Sequence, residues 1–119
     1  MGTGARGRSH RCAPGKTARA GADVVLNSFT DTDEDHALAK EIADATGVTV
    51  RYIQADMSKG DQCRRLISDA GKCDILVNNA GIQHVAAIPE FPVEKWDAII
   101  AINLSSAFHC PPGWAPAPC

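Results

Sequence analysis

The sequence of 119 residues has no long apolar run and no excess of charge of either sign. No stretch approaches the roughly 20 apolar residues that a transmembrane helix needs, so the sequence predicts no membrane span. The formal net charge of −2 offers no electrostatic reason to expect a nucleic-acid or membrane partner. The N-terminus carries arginines but no apolar segment after them, which argues against a secretory signal.

A cysteine framework is also missing. The chain has five cysteines, an odd number, and no two of them form a Cys-x-x-Cys pair. The pairs His10 with Cys12 and His109 with Cys110 do not have spacings that build a four-ligand metal centre, so we expect no metal. Free thiols in a reducing cytoplasm are the simplest interpretation of this cysteine usage.

What the sequence does contain is centred on Asp74–Ile82, which reads Asp-Ile-Leu-Val-Asn-Asn-Ala-Gly-Ile. The short apolar run of residues 75–77 is typical of a strand buried on both faces of a parallel sheet. It ends at two amides and a glycine. Because ligands bind in the crevice at the carboxyl ends of parallel strands, the segment predicts a central strand that leads into a binding site.

Alternating strand and helix patterns surround this segment. Val24-Val25-Leu26 and residues 48–55 are rich in β-formers, and each run ends at polar residues. Helical spacing of apolar residues predicts helices over residues 31–45, from Ser58 to Gly71, and from Pro92 to about Phe108. We expect Thr32 or Asp33, and Ser58, to cap the first two helices.

This alternation predicts an α/β fold, specifically a partial Rossmann-like parallel sheet with flanking helices. We expect three parts along the chain. Residues 1–19 have neither helical nor strand periodicity and form an aberrant, disordered N-terminus without a first strand. Residues 20–109 form the domain, and residues 110–119 form a disordered tail because four prolines block regular structure there.

Residues 20–108 resemble the short-chain dehydrogenase/reductase family. Asn78-Asn79-Ala80-Gly81 resembles the family signature that follows the fourth strand and shapes the cofactor pocket. Residues 81–85 and 91–96 are similar to those of the bacterial NAD-dependent 3-hydroxybutyrate dehydrogenases within that family. The resemblance implies an NAD cofactor, a small 3-hydroxy acid substrate and, for the complete family enzymes, a tetramer.

The resemblance also assigns roles to individual residues. It implies that six residues contribute to cofactor binding: Gly4, Asp56, Met57, Asn78, Ala80 and Gly81. The Asp56 carboxylate would form a hydrogen bond with the adenine ring. It implies that Gln83 binds the substrate carboxylate and that Asn103 is the helix asparagine of the catalytic tetrad. Each also has a structural interpretation: a strand-end turn for Asp56, a loop amide in water for Gln83, and a helix-face amide bonded to a neighbour for Asn103.

Two departures from the family pattern are visible. Arg8 and His10 occupy positions where the family's Thr-Gly-x-x-x-Gly-x-Gly loop has its second and third glycines, and both side chains would collide with a cofactor lying on the backbone. The family's Tyr-x-x-x-Lys is also missing, because Tyr52 is the only tyrosine and Asp56 stands four residues after it. The strand that carries the family's catalytic serine is missing as well. We hypothesise that both ends of the chain are out-of-frame translations.

The sequence therefore predicts a fragment of a 3-hydroxybutyrate-oxidising dehydrogenase that is inactive as this chain. Two alternatives remain open. One is a non-catalytic nucleotide-binding remnant or pseudogene product, and the other is a dehydrogenase of the 3-oxoacyl reductase type.

Overall fold

The computed structural model describes residues 2–3, as backbone only, and residues 15–110. Its sheet has three parallel strands in the order β1-β2-β3, which span Gly2–Thr3 (β1), Val24–Ser28 (β2) and Val50–Gln54 (β3). Helices flank this sheet, so the chain has the α/β, partial Rossmann-like fold that the sequence predicts.

The helices follow the strands in alternation. None in the described part of the chain is both long and apolar enough to cross a bilayer. Residues 93–109 are helical throughout, and a π-helical turn interrupts them at Ala101–Ser105. The helical elements are residues 15–19 (α1), Asp33–Thr46 (α2), Gly60–Ala70 (α3), the 3₁₀ turn Ile88–Glu90, Val93–Ile100 (α4) and Ser106–His109 (α5).

The pairing of β2 with β3 forms the centre of the sheet. Their register runs from Val24 opposite Val50 to Ser28 opposite Gln54. A further backbone hydrogen bond from the Ala55 amide to the Ser28 carbonyl, 3.0 Å long, extends the ladder at its carboxyl end. Because successive side chains of a strand point to opposite faces, this ladder presents one apolar set to each side of the sheet.

Each face of the sheet has its own core. On one face, Ala18 of α1 and residues of α2 pack on Val24 and Leu26. On the other face, residues that follow β3 pack with α3 and with the end of α5. The buried members of this second cluster are Ala55, Met57, Cys63, Leu66 and Cys110. Helices therefore cover both faces, as in a doubly wound sheet.

Helix α2 spans Asp33–Thr46, close to the predicted residues 31–45, and the predicted Thr32 cap is confirmed. Thr32 is the N-cap: its hydroxyl accepts from the Asp35 amide at 3.4 Å, and the Asp35 carboxylate accepts from the Thr32 amide at 3.0 Å. This reciprocal pair is a capping box. At the other end Gly47 adopts φ 72°, a left-handed conformation in which a side chain would be strained.

The predicted cap of α3 is wrong. The helix begins after Lys59, which makes no capping side-chain hydrogen bond, although Gly71 ends it as expected. The Ser58 hydroxyl instead donates to Asp56 Oδ1 at 2.7 Å. A serine next to an aspartate has this competing local bond available, and here the turn takes the serine away from the helix.

The predicted central strand over residues 74–82 is also wrong. In this segment only Val77 lies in an isolated β-bridge, and the side chains of Ile75 and Val77 are 68% and 43% exposed. An apolar run becomes a buried strand only where a neighbouring ladder and covering helices receive it. In the described sheet the outer strand β1 has two residues, which is too short to template a further long strand.

The N-terminal expectation needs correction as well. We expected no first strand, yet Gly2–Thr3 pairs with Leu26 and Asn27 in parallel. Residues 15–19 are helical rather than irregular, and Ala18 is buried in the first core. In the sequence, Pro14 directly precedes this helix, and Gly15 is its first residue. Proline and glycine break a helix internally but are tolerated at its start.

The expectation for the C-terminal tail is corrected at its first residue. Cys110 is fully buried beside α3 and is not part of a disordered segment. The prolines that follow it lie outside the described residues, as do Gly4, Arg8 and His10.

Removing the α2 cap tests how much this helix contributes to the fold. We expect Thr32→Ala to lower the free energy of unfolding by about 1 kcal/mol, because it removes the hydrogen bonds of the Thr32 hydroxyl to the Asp35 amide and to the Asp35 carboxylate. Thr32→Ser keeps the hydroxyl and is expected to restore most of the loss in urea denaturation. Equal destabilisation by the two variants would contradict a capping role.

Candidate functional site

Polar residues collect where the strands end. Because β2 and β3 are parallel, their carboxyl ends meet at one edge of the sheet, which is where ligands bind in open α/β folds. Asn27 and Ser28 end β2, and Asp56 follows β3 by two residues.

Among the described residues, Asn27 alone carries a buried polar side-chain atom that lacks a hydrogen-bond partner. It is 4% exposed, and its Nδ2 donates to the carbonyls of Ile53 at 2.9 Å and Ala55 at 3.3 Å. Its Oδ1 has no hydrogen-bond partner. A buried acceptor without a donor is rare in native proteins and indicates a position that a bound group or water satisfies. The sequence analysis missed this residue, because an asparagine at a strand end carries no distinctive signal.

Asp56 forms a tight turn immediately after β3. Its Oδ1 accepts from the Ser58 amide at 2.9 Å and from the Ser58 hydroxyl at 2.7 Å, while its amide donates to Gln62 Oε1 at 2.8 Å. The hydrogen bond from the Ser58 hydroxyl lowers the pKa of Asp56 below its ordinary value and outweighs the opposing effect of partial burial. The carboxylate is therefore charged at neutral pH.

Met57 turns its side chain into the second core. It is 7% exposed, and its carbonyl accepts from Cys63 Sγ at 3.6 Å. The backbone that the sequence analysis assigned to cofactor binding is thus fixed to α3.

Asn103 holds the segment that follows the Asn-Asn-Ala-Gly motif. Its Oδ1 accepts from the Ile82 amide at 2.8 Å, and its Nδ2 donates to the Ile82 carbonyl at 2.9 Å. One amide side chain thereby satisfies both backbone groups of a single residue. Gly81 lies beside this contact, and a Cβ added there would be 3.6 Å from Asn103 Oδ1. The structure therefore brings Asn103 and Gly81 together.

The backbone around Asn103 is unusual. Residues 101–105 form a π-helical turn between α4 and α5. Such turns are rare and frequently occur at functional sites, because they rotate a side chain out of the regular helical register. Apolar periodicity predicted one continuous helix here and gave no sign of the π turn.

The other residues predicted for the site lie close to Gly81 in the sequence and are less enclosed by the rest of the fold. Asn78 and Gln83 are exposed, and Ala80 is partly buried against the second core. The positions of Asn78 and Gln83 leave their side chains open to solvent, and Gly4 lies outside the described residues.

An aromatic chain fixes the loop that carries Gln83. His84 and Phe91 are in edge contact, with ring centroids 5.3 Å apart, and Phe91 contacts Trp96 at 6.3 Å. Trp96 belongs to α4, so these rings attach the loop to the same continuous helix that carries Asn103. The sequence analysis noted residues 91–96 for their resemblance and for a helix that starts at Pro92, and it did not predict this packing.

Tyr52 is not placed to act on a substrate. Its hydroxyl makes a short hydrogen bond to the Thr30 carbonyl, and its ring contacts His36 edge-on. Burial, followed by the nearby Asp35 carboxylate, raises the pKa of Tyr52. The only tyrosine of the chain is thus a protonated structural residue.

The comparisons with known proteins agree with this architecture. The model of the short chain dehydrogenase family matches residues 3–117. The chain therefore belongs to the short-chain dehydrogenase/reductase family, as the sequence resemblance implied.

Curated relatives within the family are similar over most of this chain. A D-beta-hydroxybutyrate dehydrogenase of Cupriavidus necator is 58% identical over 97 residues, covering 77% of this chain and 36% of the relative. A protein of the same name from Rhizobium meliloti is 48% identical over 96 residues, covering 77% of this chain and 37% of the relative. The chain thus spans little more than a third of the length of these relatives.

Solved structures support the same fold. A double mutant of a Serratia marcescens short-chain dehydrogenase/reductase matches with a TM-score of 0.79 and 28% identity, covering 85% of this chain and 42% of that one. A metagenomic short-chain oxidoreductase in complex with NADP matches with a TM-score of 0.77 and 29% identity, covering 85% and 47%.

The family implies a nicotinamide dinucleotide cofactor, and the described residues fit one. The unpartnered Oδ1 of Asn27 and the charged carboxylate of Asp56 lie at the strand edge where such cofactors bind. Gly81 has no side chain, and a Cβ added there would face the Asn103 amide at 3.6 Å.

Loss of the Asn103 amide should release Ile82. We expect Asn103→Ala to speed hydrogen exchange at the Ile82 amide and to lower the free energy of unfolding by about 1 kcal/mol, since both bonds lie at an exposed position. Leu104→Ala is the matched control, because Leu104 belongs to the same π turn and is 65% exposed. Unchanged hydrogen exchange at the Ile82 amide in Asn103→Ala would contradict the role of Asn103 in holding the Ile82 backbone.

The Asp56 turn predicts a pH effect. A carboxyl whose pKa is lowered by folding stabilises the protein above its unfolded pKa, near 3.8, and this stabilisation is lost as the pH falls through the folded pKa. We expect Ser58→Ala to raise the pKa of Asp56 towards 3.8 in an NMR titration of the carboxyl carbon. Ser68→Ala should leave it unchanged, and an equal shift in both variants would refute the assignment of the effect to Ser58.

Proposed function

We propose that this chain is the nucleotide-binding part of an NAD-dependent dehydrogenase that oxidises 3-hydroxybutyrate to acetoacetate in the cytoplasm. The observation that carries the proposal is the pair of hydrogen bonds from the Asn103 side chain to the backbone of Ile82, the residue directly after Asn-Asn-Ala-Gly. The 58% identity to a relative named D-beta-hydroxybutyrate dehydrogenase supports the substrate.

In this proposal the residues of the strand edge divide the binding work. Asp56 and the Met57 backbone meet the adenine, while Asn78, Ala80 and Gly81 line the path of the cofactor, and Gly4 would contribute to its phosphate loop. Bound NAD would accept the hydride from the hydroxyl-bearing carbon. Asn103 positions the Ile82 backbone, and Gln83 donates its amide N–H to the substrate carboxylate from the exposed loop.

Charge at the end of β2 favours NAD over NADP. The first turn of α2 is acidic, with Asp33, Glu34 and Asp35 close behind Ser28 and Phe29. A 2′-phosphate on the adenosine ribose would meet these carboxylates as a like charge, whereas the ribose hydroxyl of NAD would not.

We further propose that the 119-residue chain does not turn over by itself. Oxidation of an alcohol needs a group that takes the hydroxyl proton, and Tyr52 is bonded to Thr30 and kept protonated. No Tyr-x-x-x-Lys occurs in the sequence. A non-catalytic nucleotide-binding remnant would share this behaviour.

A 3-oxoacyl reductase is the second candidate. A 3-oxoacyl-acyl-carrier-protein reductase of Staphylococcus epidermidis is 35% identical over 97 residues, covering 78% of this chain. The exposed loop amide of Gln83 favours a small carboxylate substrate instead, because an acyl-carrier thioester presents no carboxylate there.

The family tetramer would use the apolar surface of α4 and α5. Val93, Trp96 and Phe108 are 68%, 59% and 57% exposed. Exposed large apolar side chains along one helical segment favour burial against another subunit.

Cofactor titration tests the binding part of the proposal. We expect the purified chain to bind NAD at least about tenfold more tightly than NADP, equivalent to about 1.4 kcal/mol, in isothermal calorimetry. The double variant Asp33→Lys with Glu34→Lys should narrow this difference, while Asp44→Lys, at the far end of the same helix, should not. Binding of neither cofactor, or a preference for NADP, would overturn the NAD assignment.

Turnover tests the catalytic part separately. With NAD and 3-hydroxybutyrate added together, we expect no rise in absorbance at the wavelength of the reduced cofactor. A rise above the buffer control would show that the chain carries its own acid/base and would refute inactivity.

A further inference from the structure

Two of the most deeply buried side chains of the protein are cysteine thiols in the same cluster. Cys63 of α3 and Cys110, which follows α5, are both 0% exposed and belong to the second core. Both are free thiols. They are separated by more than 40 positions in the sequence, so the packing of α5 on α3 is what brings them together.

Neighbouring contacts fix that packing independently of the thiols. Arg64 Nη1 lies 3.1 Å from His109 Nδ1; Arg64 follows Cys63 directly, and His109 directly precedes Cys110. A Cβ added to Gly60 would lie 2.7 Å from His109 Nε2, so the imidazole sits against the first turn of α3 in space that only glycine leaves. The His109–Cys110 dipeptide is therefore docked on the N-terminal half of α3.

The two thiols are also chemically unequal. The interaction between the two thiols, together with burial, raises the pKa of Cys63, and the same interaction lowers the pKa of Cys110. Cys63 Sγ also approaches the Met57 carbonyl at 3.6 Å, as a donor would. Cys110 is thus the thiol that more readily becomes the nucleophile, and Cys63 is the adjacent thiol.

We propose that Cys63 and Cys110 form a redox-active pair that a hydroperoxide converts into an intramolecular disulfide. The Cys110 thiolate attacks one peroxide oxygen, the O–O bond breaks, and Cys110 becomes a sulfenic acid while hydroxide leaves and takes up the proton that Cys110 lost. The Cys63 sulfur then attacks the sulfenic sulfur, and water leaves with the Cys63 proton. Two thiols are oxidised by two electrons, and one hydrogen peroxide is reduced to two waters.

Access of peroxide to the pair requires local opening. Cys110 follows His109, the last residue of the helix, and the ends of helices open locally at low free-energy cost. Reclosure then presents the sulfenic acid to Cys63. The disulfide would fix α5 onto α3. Because the helix is continuous, the disulfide would also restrain Asn103 and the Ile82 backbone that Asn103 holds.

The experiment uses the full chain in which Cys12, Cys73 and Cys119 are replaced by serine. After full reduction and treatment with a small excess of hydrogen peroxide, we expect an intact mass lower by ~2 Da and a cross-linked Cys63–Cys110 peptide. The loop that closes is roughly 50 residues, so the oxidised form should melt at a temperature higher by on the order of 10 °C. A reducing agent should reverse both changes.

Two matched variants complete the test. Cys110→Ser and Cys63→Ser, each in the same background, should show no mass loss, and Cys63→Ser should accumulate a sulfenic acid that a dimedone-type reagent traps. Circular dichroism of the reduced variants reports whether each folds. Formation of disulfide-linked dimers, or gain of two or more oxygens on either thiol without the cross-link, would overturn the proposal.

Discussion

The parallel ladder between β2 and β3 is the constraint on which the rest of the structure depends. Its register, from Val24 opposite Val50 to Ser28 opposite Gln54, sends alternate side chains to opposite faces of the sheet. One face buries Val24 and Leu26 under α2, and the other leads into the core that contains Leu66. A slip by one residue would exchange the two sets, so both cores and the polar edge depend on the same register.

The candidate site follows from that ladder and from one side chain on another element. Parallel strands bring Asn27, which lies in β2, and Asp56, which lies in the turn after β3, to one edge of the sheet. The segment after Asn-Asn-Ala-Gly has no regular ladder to hold it, and Asn103 replaces the ladder with two bonds to Ile82. The π turn supplies the rotation that points this amide at the loop.

Sequence patterns predicted the elements that are defined locally. β2, β3, α2 and the Gly47 end of α2 follow from β-branched runs, helical spacing and capping chemistry, which depend on neighbours in the chain. Residues 74–82 were predicted wrongly because an apolar triplet becomes a buried strand only where a long ladder and covering helices receive it. Ser58 was misassigned because two local hydrogen bonds compete for one hydroxyl, and propensity does not decide between them. The unpartnered Asn27 Oδ1 and the thiol pair depend on contacts between distant residues, which a single sequence does not encode in any readable spacing.

The exposed side chains of Ile75 and Val77 have a consequence for the life of the protein in a cell. Holdase chaperones bind irregular apolar segments on a protein surface, and proteases cleave such segments first. Steady-state abundance would then depend on capture at this segment as well as on the stability of the two cores. A substitution on this segment would therefore change cellular half-life more than it changes resistance to urea.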